Sequence, residues 1–320
     1  MKQIGAGSSS RVFLVKSSRN ELLVMKEREA SYWAKDEARL LYSLRAHPCI
    51  VLFKDAFFIE DIQKICIVME QGKTDLKLAL KEFVNKRENV PLVTVCSWLA
   101  QIALGLAFLH ELDIAHRDVK PANLFILNDG RLVLGDFGIS RQRVHKTNLA
   151  KTFLGTPYYL SPEILLRAFY GTNSDIWSFG CVAFEIITSG RSRAFKAQNL
   201  ALLSEQILSA KIRWNEFPEN SASFLPLIRN TIVVNPQHRW KIADLIKNSV
   251  IIRGVGSFVA DLAEGRFYIS EKRAVTLIEQ LTFIGLKDTI VAGLKVGLAR
   301  KQVKAHNENI PMNSQDLFLS

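Results

Sequence analysis

The sequence predicts an α+β fold, with strands in the first quarter of the chain and helices through most of the rest. Two patterns carry that expectation. Up to about residue 71, apolar residues fall in short, partly alternating runs. From Asp75 onward they recur every three or four positions. Residues 4–15 read Ile4-Gly5-Ala6-Gly7-Ser8-Ser9-Ser10-Arg11-Val12-Phe13-Leu14-Val15, a glycine-rich turn running into an alternating strand. Gly5 and Gly7 let a backbone approach phosphate closely with its N–H groups, although two such glycines alone fit a plain hairpin turn equally well.

The next strand is Leu22 to Lys26, followed by a helix over residues 31–44 with Ala34, Ala38, Leu41 and Tyr42 at helical spacing. His47-Pro48 ends that helical region, since proline disfavours helix before it. Residues 50–58 and 64–69 read as two strands of a meander. Helical patterns then cover 75–85, 94–112, 174–187 and 195–212. The second of these, carrying Trp98, Leu99, Ile102, Leu106 and Leu109, is apolar all round and reads as a core element. Beyond residue 252, Gly254 to Gly256 read as a short joint. Two further helical stripes follow, Leu277-Leu281-Ile284 and Ile290-Leu294-Leu298, separated by Gly285. The expectation is a helical tail over 253–320, packed on the larger part of the chain or docking a partner.

The bulk properties bound the function. The chain has 320 residues, 48% of them hydrophobic and 23% charged, an ordinary globular balance. Its formal net charge of +11 suits acidic partners, but the basic residues are scattered, so specific nucleic-acid binding is not expected. Cys49, Cys66, Cys96 and Cys181 lie far apart in apolar surroundings without metal spacing, which predicts reduced thiols and an intracellular compartment. The N-terminus lacks a signal-peptide core, and polar residues interrupt every apolar run short of about 18 residues, so no membrane insertion is expected.

The residues that carry chemistry are His116-Arg117-Asp118-Val119-Lys120-Pro121-Ala122-Asn123 and, after a short apolar strand, Asp136-Phe137-Gly138. Two acids and an asparagine at this spacing can surround a Mg-bound triphosphate. Asp118 would accept the proton of an attacking hydroxyl, while Asn123 and Asp136 would hold Mg²⁺, a hard cation that takes oxygen ligands. The first string resembles the catalytic loop of eukaryotic protein kinases and the second their metal-binding loop. Leu134-Gly135-Asp136-Phe137-Gly138-Ile139-Ser140 and Gly155-Thr156-Pro157-Tyr158-Tyr159-Leu160-Ser161-Pro162-Glu163 resemble more narrowly the NIMA-related (NEK) Ser/Thr kinases. The resemblance covers about residues 1–252.

That resemblance implies the two-lobed protein-kinase fold. An antiparallel β-sheet lobe with one main helix would occupy about residues 1–71 and a mainly helical lobe about 72–252, with ATP between them. Ile4, Gly5, Ala6, Gly7, Ser8, Ser9, Ser10 and Val12 would cover the nucleotide, Ser10 standing where the pattern has its third glycine. Val24, where the family commonly has alanine, would roof the adenine. Lys26 would anchor phosphates, held by Glu37, with Glu29 and Asp36 as rival carboxylates. Met69 would gate the back of the pocket, Glu70 and Gln71 would form the hinge, Asp75 would meet the ribose, and Phe125 would complete the ATP-binding set. Lys120 would steady the γ-phosphate and marks Ser/Thr rather than tyrosine specificity. Asp175 would brace the catalytic loop or simply cap its helix. The glutamate of Ser161-Pro162-Glu163 would pair with Arg239. Thr152 would be the activating phosphorylation site, read by Arg117, with Ser140, Thr147 and Thr156 as competing loop hydroxyls and Thr156 better explained as a contact to Asp118 and Lys120. The implied activity is transfer of the ATP γ-phosphoryl group to Ser/Thr hydroxyls of protein substrates, with Mg²⁺, in the cytoplasm and with a cytoskeletal association. The alternative is a pseudokinase acting as a binding scaffold. Such chains usually lose the lysine, the loop aspartate or the metal aspartate, and Lys26, Asp118, Asn123 and Asp136 are all present.

Overall fold

The computed structural model describes residues 1–6, 10–137, 157–166, 168, 171–286 and 292. Strands β1 (Lys2–Ala6), β2 (Ser10–Lys16), β3 (Leu22–Glu29), β4 (Phe53–Ile59) and β5 (Lys64–Glu70) form an antiparallel sheet in the order β1-β2-β3-β5-β4. Helix α1 (Tyr32–Leu44) lies among them in sequence, its start capped by Ser31 Oγ accepting from Ala34 N at 3.2 Å. It buries Ala34, Glu37, Ala38, Leu41 and Leu44, one stripe at helical spacing. The register sets Val12 opposite Lys26 and Val24 opposite both Leu14 and Met69. These side chains therefore share one face of the sheet, because strand side chains alternate. The opposite face buries Phe13, Leu23, Met25, Cys66 and Val68. Residues 50–52, expected within a strand, form a connection and β4 starts only at Phe53.

The second part is helical around a small sheet. β6 (Thr74–Asp75), β7 (Leu124–Ile126) and β8 (Leu132–Leu134) pair antiparallel, and β6 runs straight into α2 (Leu76–Lys86). The central helix is α3 (Leu92–Glu111); α4 (Pro162–Leu165), α5 (Thr172–Ile187), α6 (Leu200–Leu208), α7 (Leu225–Thr231) and α8 (Ile242–Ile246) follow in the chain, with α5 and α8 packed against α3. By length and composition α3 is apolar enough to cross a membrane, because the polar residues that interrupt it, Thr94, Ser97 and Gln101, are uncharged. Yet 78% of its most apolar window is buried inside the protein. The helix expected over 195–212 shrinks to α6, started by Asn199 and preceded by Phe195, which stacks on Trp177 at 5.6 Å.

The expected joint at Gly254 to Gly256 is wrong. Helix α9 (Ser249–Ala263) runs unbroken through it and packs along α3. Gly254 is there for close approach: a Cβ on it would sit 1.9 Å from the Cys96 carbonyl oxygen. Glycines usually weaken a helix, so the pattern Arg-Gly-Val-Gly reads as a break until its neighbour is known. The tail stripe Leu277-Leu281 lies in α10 (Glu271–Phe283), where Ala274, Leu277 and Leu281 are buried within the protein core. Gly285 follows with φ +69°, ending the helix as expected. The second tail stripe, Ile290-Leu294-Leu298, lies outside the described residues. All four cysteines are free and buried, and burial pushes the Cys49 thiol up to about 12.

Candidate active site

Lys26 emerges from β3 on the face shared with Val12 and Val24, and its ammonium lies 2.7 Å from Glu37 Oε1 and 2.8 Å from Asp136 Oδ1. Of the rival carboxylates, Asp36 sits beside Arg39 at 3.8 Å, and Glu37 is the one α1 turns inward. Burial disfavours the lysine charge, but Asp136 and Glu37 outweigh it and raise Lys26 above the ordinary lysine value. Burial pushes the Asp136 carboxyl up, but Lys26, with smaller contributions from Lys120 and His116, outweighs it and holds it at about 2. Both groups are thus ionised across physiological pH.

Glu37 has a second partner that the sequence expectations missed. Arg28 Nη1 donates to Glu37 Oε2, so each carboxylate oxygen is bound by a different cation. The signal was there, because residues 26 and 28 must point to the same face of a strand.

The loop that carries Asp118 is braced by Asp175. Asp175, in the first turn of α5, accepts from His116 N and Arg117 N, each at 2.8 Å, and from His110 Nε2 at 2.9 Å. It is a brace, since the N-cap of α5 is Gly171. Asp118 N donates to His116 Nδ1 at 3.3 Å, which leaves the proton on Nε2, where it meets Gly135 O at 3.0 Å. The His116 ring in turn lies 4.9 Å from the buried Phe137 ring. Arg117 and Asp136 both have φ in the left-handed region, +69° and +58°.

Asp118 Oδ2 accepts from Lys120 Nζ at 2.6 Å and from Asn123 Nδ2 at 2.8 Å, and Asn123 Nδ2 also reaches Asp118 O at 2.8 Å. With its amide nitrogen committed to Asp118, Asn123 offers its amide oxygen as a ligand atom. That oxygen and the Asp136 carboxylate are a donor set suited to Mg²⁺, which is held by one or two protein oxygens and completes its shell with phosphates and water.

The residues expected around the nucleotide lie on the same sheets. Met69 and Glu70 end β5, and Glu70 Oε1 accepts from Leu52 N at 2.7 Å. Lys73 N donates to Ile126 O at 2.8 Å, tying the hinge to β7. Phe125 is wedged between two glycines: a Cβ on Gly72 would meet its Cβ at 3.0 Å, and one on Gly135 would meet its ring at 2.6 Å. The hinge and the strand before Asp136 therefore close on one aromatic ring. Asp75, expected at the ribose, caps α2 by accepting from Leu78 N at 2.8 Å. Ser10 begins β2, Ile4 and Ala6 lie in β1 with Gly5 between them, while Gly7, Ser8 and Ser9 lie outside the described residues. Thr152 and Thr156, expected to regulate and to brace the loop, also lie outside them, as do Ser140 and Thr147.

Arg239 binds Glu163 at 2.8 and 3.1 Å, as the resemblance implies, and Ser174 Oγ donates to the same carboxylate at 2.7 Å.

A family model for the protein kinase domain matches residues 1–251. The chain belongs to the protein kinase domain family. Similarity to NEK kinases bears out the narrower resemblance. Serine/threonine-protein kinase Nek1 of Mus musculus is 33% identical over 270 residues, covering 81% of this chain and 22% of that protein. Serine/threonine-protein kinase Nek3 of Mus musculus is 34% identical over 246 residues, covering 75% and 46%. The probable serine/threonine-protein kinase nek3 of Dictyostelium discoideum is 35% identical over 271 residues, covering 80% and 23%. The kinase chain thus spans less than half the length of these relatives.

Proposed function

We propose that this kinase domain transfers the γ-phosphoryl group of ATP to Ser/Thr hydroxyls of protein substrates. The observation that carries the reading is a convergence: Lys26, Glu37 and Asp136 meet within 2.8 Å contacts, and Asp118, Lys120 and Asn123 form a second cluster on the adjoining loop. Lys26, fixed by Glu37, holds the α- and β-phosphates of ATP. Asp136 and Asn123 hold Mg²⁺, which when bound neutralises charge on the phosphates. Asp118 takes the proton of the attacking hydroxyl as the new O–P bond forms and the bond to the β-phosphate oxygen breaks, releasing ADP. Lys120 lies beside Asp118, placed to meet charge on the transferred group. Little covalent work is asked of the protein, so positioning and electrostatics supply the acceleration.

Protein substrates follow from the family. For the cell, we place the chain in the cytoplasm on the strength of four buried, unpaired cysteines, and extend it to a cytoskeletal association on the NEK similarity alone. The scaffold alternative has less support, because the lysine, both aspartates and the asparagine converge. The test is labelled-ATP transfer to a generic basic protein by the wild type and by Asp118→Asn. Removing the proton acceptor is expected to lower the rate by about 10²–10⁴-fold with Mg-ATP affinity retained. Equal rates from both proteins would sink the assignment of Asp118.

A further inference from the structure

Helix α10 lies beyond the stretch matched by the kinase family, residues 1–251, yet it supplies hydrogen-bond partners for the loop that follows α1. Two of its side chains, Arg273 and Gln280, are polar and almost fully buried. Arg273 Nη2 and Nε donate to His47 O at 2.5 and 3.2 Å, and Nη2 also donates to Ile50 O. Gln280 Nε2 donates to Leu104 O of α3 at 3.0 Å, and its Oε1 accepts from His47 Nε2 at 2.9 Å. The His47 tautomer is fixed, since Cys49 N donates to Nδ1 at 3.1 Å. His47 also stacks on Phe108 at 4.6 Å. One residue of the loop is thus gripped at its carbonyl, its ring nitrogen and its ring face, two of those three by the tail.

What this loop holds makes the grip matter. On one side His47 N donates to Leu44 O, the end of α1, which carries Glu37 two turns earlier. On the other, Val51 N donates to Leu134 O at 2.8 Å and Leu134 N to Cys49 O at 2.9 Å. Leu134 is the last residue of β8, two before Asp136. Leu52 exchanges hydrogen bonds with Glu70 of the hinge, and Arg273 Nη1 approaches the same Glu70 carboxylate at 3.8 Å. The three elements that place Glu37, Asp136 and the hinge therefore meet on residues 47–52. Packed elements of this kind hold discrete arrangements, so a support that secures the junction biases all three together.

We propose that Arg273 and Gln280 are positioning residues for phosphoryl transfer: by fixing residues 47–50 they set α1 and β8, and hence the Lys26–Glu37–Asp136 contacts. The proposal rests on the kinase reading above. The competing account is that α10 adds stability and nothing else. Arg273→Met keeps an apolar stem and removes the guanidinium, while Gln280→Leu removes both amide contacts and keeps the volume. Each is compared with the wild-type full chain at a temperature well below its own melting point. The expected result is a rise of about tenfold in KM for Mg-ATP with a smaller change in kcat, on the scale of a slight misplacement of phosphate-binding groups. Arg273→Lys, which can still reach one carbonyl, should recover part of the loss. Amide hydrogen exchange is the second readout. Exchange should quicken in residues 32–52 and 132–136 and stay unchanged in α5. If Arg273→Met does not fold, Gln280→Leu and Arg273→Lys decide. Folded variants with wild-type KM and wild-type exchange in α1 would overturn the proposal, as would a uniform quickening across α5 as well. Were the wild type to transfer no phosphate, the exchange comparison would still test the positioning role, so the two failures are separable.

Discussion

Two glycines, two residues apart on α9, should respond to the same substitution with opposite signs. A Cβ on Gly254 would lie 1.9 Å from Cys96 O, 2.5 Å from Cys96 C and 2.7 Å from Ala100 Cβ. All three belong to α3, and two are backbone atoms, so no side chain can swing away. Ordinary contact begins near 3.4 Å, so Gly254→Ala must drive the helices apart by roughly 1.5 Å. Overpacking a well-filled core costs about 1–3 kcal/mol, occasionally more. Here the strain falls on α3, the helix that precedes the catalytic loop, and we take the upper end, about 3 kcal/mol. The gain in helix propensity from glycine to alanine, about 1 kcal/mol, is too small to reverse that. At Gly256 a Cβ meets nothing within 4 Å. Gly256→Ala therefore keeps the propensity gain and should stabilise by about 0.5–1 kcal/mol. At roughly 2–4 °C per kcal/mol for large domains, Tm should fall by about 10 °C for the first variant and rise by a few degrees for the second. Thermal denaturation followed by circular dichroism reads both. If Gly254→Ala melts at or above the wild type, α9 does not lie against α3 as described, and the reasoning fails.

Two buried carboxylates, Glu163 and Glu185, give sharper tests of charge. Arg239→Leu strands the Glu163 carboxylate, which is 6% exposed, and should cost about 3–5 kcal/mol near neutral pH. Burial pushes that carboxyl up, but Arg239 and Ser174 hold it below the usual 4.5, so the wild-type pair stabilises above that value and weakens as pH falls through the lowered one. Without the guanidinium Glu163 can take up a proton instead, so urea titrations should show the deficit shrinking as the pH falls toward 4.5. Glu185 shows the opposite sign: burial raises its carboxyl above 4.5, even though Tyr159 Oη donates to it at 2.5 Å and Arg193 lies at 3.5 Å. A raised acid binds more protons folded than unfolded, so its contribution to stability declines as pH rises from 4.5 through the raised value. Glu185→Gln, which keeps an acceptor for Tyr159, should remove that decline, and an unchanged pH–stability curve between pH 4 and 7 would contradict the shift.

How much of this was legible depended on how local the cause is. Lys26 and Glu37 were legible through resemblance to a kinase lysine and its helix glutamate, with Glu29 and Asp36 left as rivals, and the burial of Glu37 on α1 together with its contact to Lys26 decides among them. The catalytic loop could be read because its chemistry sits in eight consecutive residues. Gly254 could not, since its meaning depends on a carbonyl more than a hundred positions away. The tail stripe Leu277-Leu281 announced burial but not its destination. Arg273 and Gln280 carried no signal at all, because a polar residue on an amphipathic helix is ordinarily solvated, and here a distant loop supplies the acceptors. Asp75 shows the reverse case: its local role as a helix cap follows from its place before α2, and the ribose expectation came from resemblance alone.

The site's dependence on distant residues has a common physical origin. Arg117 and Asp136 adopt left-handed backbone, which for residues other than glycine costs of order 1 kcal/mol or more each. Such conformations persist only where surrounding contacts over-determine them. At Arg117 the determinant is Asp175, whose carboxylate binds two successive amides of the loop. At Asp136 it is the hydrogen bond from His116 to Gly135 O, with Phe137 buried against the same ring. His116 therefore joins the two strained turns, and Asp175 fixes His116. The acid that would accept the hydroxyl proton and the acid that would hold Mg²⁺ are thus placed by one buried carboxylate that can touch neither substrate. Residues 47–52 act in the same way on the other flank of Asp136, through β8. Asp118, Lys120 and Asp136 keep part of their surface open to solvent, and their geometry is set by buried charges and amides behind them, which is where substitutions should alter KM and kcat without removing a catalytic group.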